Sequence, residues 1–136
     1  GYDTGAIYKA VSVFADDYNS VLSAAAKSKN SSVVSTASNM VQQTVANEKM
    51  LSRIGITIGE DNKLSVDEKK LKAADMTTVK SMMNGNGSFA YGVQTKASFI
   101  SMYAKNDQNK ASGVYGSSAT YTASLFSNGD IWNSFI

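Results

Sequence analysis

The chain has 136 residues, with thirteen Lys and Arg against eleven Asp and Glu, a net charge of +2, and no His, Cys or Pro. At this length one domain with one modest core is the expectation, and 43% apolar residues suffice for a globular fold. The missing residue types exclude disulfides, zinc sites built on nitrogen and sulfur, thiolate nucleophiles and any Ser-His-Asp or Cys-His catalysis.

The first element is a helix. Ile7, Val11, Phe14, Tyr18, Val21 and Ala25 step by four and three alternately, which lays a heptad seam along one face. Asp3 or Thr4 caps its start. Asp16, Asp17 and Asn19 fall off the seam and are expected in water. The helix weakens over Lys27–Ser32, where Ser, Lys and Asn cluster. A second helical run follows through Val34, Ala37, Val41, Thr44 and Val45, with Met40 beside them. Its Ser, Thr and Val content lowers helix propensity, so it depends on packing. Two such helices fold back as an antiparallel hairpin, or run on as one helix kinked near Asn30.

The period then changes. Ile54, Ile56 and Ile58 alternate with Gly55 and Thr57, which predicts a strand. Gly59-Glu60-Asp61-Asn62 reads as a turn and Lys63–Val66 as a short return strand. Two strands alone are marginal, so this hairpin must pack on the helices. Asp67 caps the next helix, with Ser65 and Glu68 as an alternative capping box one register earlier; Leu71 and Ala74 face inward. A short helix starting at Asp75 or Thr77 carries Val79, Met82 and Met83, and Asn84-Gly85-Asn86-Gly87 stops it. Ser88 caps a further helix in which Phe89, Val93, Lys96/Ala97, Ile100 and Tyr103/Ala104 restore the heptad spacing. The fold class expected is mainly α with a small β-hairpin (α+β), an antiparallel helical bundle with three long helices.

Two regions follow from composition: residues 1–105 as the helical bundle with its inserted hairpin, and residues 106–136 as a Gly/Ser/Tyr-rich C-terminal segment. Asn106–Ser118 reads as a connection. Thr120–Ile136, with Tyr121, Leu125, Phe126, Ile131, Trp132, Phe135 and Ile136, is too apolar for a solvated tail. It docks on the bundle or binds a partner.

Three motifs invite a chemical reading, and each has a plainer one. Gly85-x-Gly87-x-x-Ala90 matches a dinucleotide fingerprint, but a helix precedes it where a strand is required, so it reads as an interhelical loop. Glu60, Asp61, Asn62, Asp67 and Glu68 lack the order of a calcium loop and read as a turn plus a helix cap. The tyrosines on the helical seams read as core or interface, and those of the tail stay open to carbohydrate stacking. No Ser stands three residues before a Lys, so that hydrolase arrangement is absent too. No stretch of 18 apolar residues predicts membrane insertion. Charges are scattered, with no basic patch for nucleic acid. No cofactor, metal ligand or catalytic residue is expected, and the chain is read as a non-enzyme. It opens on Gly without a basic head and apolar run, and is read as a fragment with no visible signal peptide.

Ala10-Val11-x-x-Phe14-x-x-x-Tyr18-Asn19, then Leu51-x-x-Ile54-Gly55-Ile56-Thr57, then Leu64-Ser65-Val66-Asp67-Glu68-x-Lys70-Leu71 stand in order. A helix, a second helix with Val79 and a glycine follow. This succession resembles the C-terminal part of the flagellar filament-capping protein, hook-associated protein 2, over roughly residues 7–104. The resemblance implies an exported, non-catalytic structural module. Its long helices would form the leg of a subunit in a ring at the filament tip, above flagellin-like subunits. It implies that Phe14, Tyr18 and Leu22 pack the leg helix and that Ile54 and Ile56 form the strand. Gly55 would permit close backbone approach, Asp67 would cap and Leu71 would anchor the following helix. Location would be extracellular or at the bacterial cell surface.

Self-association is then expected through the helix-packing residues Val11, Phe14, Tyr18, Leu22, Ile54, Ile56, Leu71, Phe89, Val93 and Ile100, and a charge at Phe14 or Val11 is expected to abolish it. The family continues as a heptad helix where this chain has residues 106–136. The alternative is therefore a non-flagellar secreted or cell-surface binding module that uses Tyr121, Phe126, Trp132 and Phe135 to hold its partner.

Overall fold

A computed structural model describes residues 2–110, with side chains as far as Asn106. The tail residues Tyr121, Phe126, Trp132 and Phe135 lie outside the described residues. Helix α1 (Thr4–Ala26) starts at Asp3, whose carboxylate accepts from the Ala6 amide at 3.0 Å. Its buried face holds Ile7, Ala10, Val11, Phe14, Ala15, Tyr18, Val21 and Ala25. The break near Asn30 is complete: the Asn30 side-chain oxygen accepts from the amides of Ser32 (2.8 Å) and Val33 (3.1 Å) and opens α2 (Ser31–Ala46). Such a cap satisfies donors that a continuous helix would have bonded to the preceding turn. The chain therefore makes two helices and not one kinked one.

The face that α2 buries is Val33, Ala37, Met40 and Thr44, while Val34 and Val45 point outward. This corrects the expected stripe by about one position. Turning the helix this way buries the long Met40 side chain and brings Thr44 to Tyr18.

A short helix the sequence reading did not assign, α3 (Glu48–Arg53), inserts Leu51 into the core. Ile54 is its C-terminal cap, so Ile54 is buried but is not a strand residue, against the expectation. The Ile54 and Gly55 amides close the last helical turn on the carbonyls of Leu51 and Ser52, each at 3.1 Å. A backbone wound this tightly is not extended, and the strand begins only after Gly55. Strands β1 (Ile56–Ile58) and β2 (Leu64–Val66) pair antiparallel with Ile56 opposite Val66 and Ile58 opposite Leu64. Asp61 braces the turn by accepting from the Lys63 amide at 3.1 Å.

Asp67 opens α4 (Glu68–Ala73), accepting from the Lys70 amide at 3.0 Å. Ser65 is an exposed residue of β2, so the alternative capping box does not form. Asp75 opens α5 (Met76–Met83) by accepting from the Thr77 amide at 3.3 Å and the Thr78 hydroxyl at 3.0 Å. The Ser88 hydroxyl accepts from the Tyr91 amide at 3.1 Å at the start of α6 (Phe89–Lys110).

Among the described residues the fold is mainly helical with one two-stranded antiparallel sheet. One hydrophobic cluster runs through it from Ile7 to Ile100. Helix α2 lies against α6, and α1 packs on β2, α2 and α4. Near one end of the α2–α6 contact the Lys96 ammonium donates to Gln43 Oε1 at 2.7 Å. Near the other, Asn30 Nδ2 donates to the Tyr103 carbonyl at 3.5 Å. Those two bonds fix opposite chain directions for the pair.

Candidate functional site

The helix-packing residues are placed where they serve this chain's own core. Val11, Tyr18, Ile56, Leu71, Val93 and Ile100 have no exposed surface, Phe14 and Ile54 retain 1%, and Phe89 is also buried; Leu22 is half-buried and packed against the cluster. The Phe14 ring stands edge-on to Phe89 at 6.0 Å between centroids and tilted to Tyr18 at 6.5 Å. A charge placed at Phe14 or Val11 would have to be desolvated inside the monomer. Such a substitution opposes folding, and these residues are not an exposed interface. The sequence reading had assigned them both tasks, because a heptad seam looks the same from sequence whether it meets another part of its own chain or a second chain.

Two buried polar contacts hold the layers in register. The Tyr18 hydroxyl donates to Thr44 Oγ1 at 2.8 Å, and the Thr44 hydroxyl donates to the Met40 carbonyl at 2.9 Å. Burial raises the Tyr18 pKa above its ordinary value, since the phenolate would lose its hydration; the nearby Thr44 hydroxyl offsets part of that. Asn19 grips the hairpin from α1. Its amide nitrogen donates to the Leu64 carbonyl at 3.0 Å and its oxygen accepts from the Leu64 amide at 2.8 Å. The side chain thus pairs with the free edge of β2 as a neighbouring strand would. Asn19 is half-buried and not the solvated residue its off-seam position suggested. Nothing local foretells a partner 45 residues away.

The junction between α3 and the hairpin is tighter still. Gly55 is buried with φ +89°, and a Cβ built on it would stand 2.9 Å from the Leu71 amide nitrogen and 3.0 Å from the Asp67 carbonyl oxygen. The Gly55 carbonyl accepts from the Asp67 amide at 2.8 Å. The backbone of α3's end therefore rests directly on the first turn of α4.

Outside the core, apolar side chains collect on two helices. On α2, Val34 is 49% and Val45 is 48% exposed, with Val41 half-buried between them. On α6, Tyr91, Phe99 and Met102 are each close to half-exposed. The sequence reading missed the α6 group because it treated that helix as having one apolar face, while the residues outside the seam carried the signal. Of the remaining tyrosines, Tyr8 is half-buried beneath the Lys72 ammonium, 5.6 Å from its ring centroid, and Tyr103 is half-buried.

Lys72 and Glu68 pair at 2.6 Å one turn apart on exposed α4, an arrangement of small energetic weight. Among the described residues no three Asp or Glu side chains come together in a group able to hold a metal ion. Gly85 and Gly87 lie in the loop between α5 and α6, and Ala90 is buried in the core. Among the described residues no helix is long and apolar enough to cross a membrane. In comparison with known proteins, no family model, no curated protein and no solved structure matches the chain.

Proposed function

We propose that the chain is a non-catalytic assembly module, resembling the C-terminal leg of a flagellar filament cap, that works by protein–protein packing at the bacterial surface. In this reading the long helices run as an antiparallel bundle with heptad-patterned faces. The partner is a second copy of the chain or a flagellin-like subunit. The observation that carries it is the outer face of α2. Val34, Val41 and Val45 recur at intervals of seven and four, the spacing at which one helix meets another. The chain's own core uses the neighbouring face, through Val33, Ala37, Met40 and Thr44. A stripe of valines half in water has no benefit to the isolated chain, and burying it against a partner removes its cost. The hairpin supports a mechanical role, because Asn19 and Gly55 fasten it to helices on both sides.

Sedimentation equilibrium of the full chain over a range of concentrations tests the reading. Reversible association is expected. The double variant Val34→Asp/Val45→Asp, which places like charges on the stripe, is expected to remain monomeric with unchanged helical circular dichroism. A wild-type chain that stays monomeric throughout, or a double variant that associates as well as the wild type, refutes self-association through α2. Immunogold labelling on the source cell tests the flagellar part. Label at filament tips is expected, and label spread over the envelope overturns it.

A further inference from the structure

The second apolar face, on α6, carries a different inference. Tyr91, Phe99 and Met102 are 47%, 47% and 45% exposed. At 3.6 residues per turn they fall within about 80° of the helix circumference, with exposed Thr95 and Ser98 among them. None of the three takes part in the hydrophobic cluster beneath. The helix is described as far as Lys110, and residues 111–136 follow it in the sequence.

That segment is itself rich in apolar residues. Tyr121, Leu125, Trp132, Phe135 and Ile136 recur so that, at helical spacing, all five fall within about 100° of one another. Residues 111–119 reach up to about 30 Å, whereas Met102 stands about 12 Å and Tyr91 about 29 Å back along the helix from Lys110. The segment can therefore reverse direction and reach the whole face. A short tether also holds it at an effective concentration on the order of millimolar, above that of a second molecule at ordinary working concentrations.

We propose that residues 121–136 fold back onto the exposed face of α6 in the same chain and cover Tyr91, Phe99 and Met102. Two half-solvated apolar surfaces, joined covalently and sized to meet, lose the most water by covering each other. The occupant is the chain's own tail. A partner seated on this face would first have to displace it, which separates this surface from the stripe on α2.

Trp132 is the only tryptophan in the chain, so its fluorescence reports on the tail within the intact 136-residue chain. The expected emission is blue-shifted from that of indole in water, weakly quenched by acrylamide, and unchanged on hundredfold dilution. Phe99→Asp and, separately, Met102→Asp are expected to shift it to the red and to raise the quenching, with helical circular dichroism retained. Red, freely quenched emission from the wild type overturns the proposal without need of any variant. Blue emission that survives both substitutions places the tail elsewhere and overturns it too. Blue emission that turns red on dilution makes the occupant a second copy, again against the proposal. The two α2 substitutions are expected to leave Trp132 emission unchanged, and Phe99→Asp to leave association unchanged. The tail inference and the assembly reading can therefore fail separately.

Discussion

Replacing Gly55 by Ala isolates the closest backbone approach in the fold. Two terms add. A side chain at φ +89° is in the left-handed region, which costs an L-residue about 1–2 kcal/mol. The new Cβ also meets the Leu71 nitrogen at 2.9 Å and the Asp67 oxygen at 3.0 Å. Both are backbone atoms, which cannot swing aside, and overpacking of this kind costs about 1–3 kcal/mol. Loss of unfolded-state freedom returns about 0.4–1 kcal/mol. The expected net loss is about 1–4.5 kcal/mol, or a fall in Tm of roughly 3–20 °C for a chain of this size. Gly85 supplies the control, because it has the same φ of +89° with nothing within 4 Å of its Cβ position. Gly85→Ala keeps the conformational term and lacks the overlap, so its loss is expected at about 0–1.5 kcal/mol. Urea denaturation followed by circular dichroism measures both. If the two variants lose the same stability to within about 0.5 kcal/mol, the close approach of α3's end to α4 contributes nothing and the reasoning fails.

Two further outcomes follow from the buried polar contacts. Asn19→Leu is expected to cost about 1–2 kcal/mol and to speed hydrogen exchange at the Leu64 amide. Asn19→Asp keeps the acceptor but sets an oxygen against the Leu64 carbonyl in place of the donor, so it is expected to lose part of that protection; unchanged Leu64 exchange in Asn19→Leu would show that Asn19 does not hold the hairpin. Tyr18→Phe is expected to cost about 1 kcal/mol near neutrality through the lost bond to Thr44. Because the folded pKa is raised, Tyr18 is protonated in both states below the unfolded value. As pH rises above that value the unfolded state ionises first, and the wild type loses stability through the folded pKa. The gap between wild type and Tyr18→Phe is therefore expected to narrow as pH rises above about 10, and a constant gap in denaturant midpoints would contradict the burial argument.

The sequence alone carried the local physics. The caps Asp3, Asp67, Asp75 and Ser88 were readable because an Asx or Ser oxygen meets amides two or three residues on. The burial of Phe14, Tyr18, Leu71, Val93 and Ile100 was readable because periodicity marks a face. Whatever depended on distant chain segments was not. Helix α3 hid behind the alternating isoleucines, since Ile54 suits a strand and a buried helix end equally well. The stripe on α2 turned by a residue because Met40 entered the core and Thr44 met the Tyr18 hydroxyl of α1, and Asn19 left water for a backbone that arrives 45 residues later. The candidate site moved for the same reason. A heptad seam records that a face must be covered, and only tertiary packing decides what covers it. Here the chain covers most of its seam residues itself, while Val34 and Val45 on α2 and Tyr91, Phe99 and Met102 on α6 are exposed among the described residues.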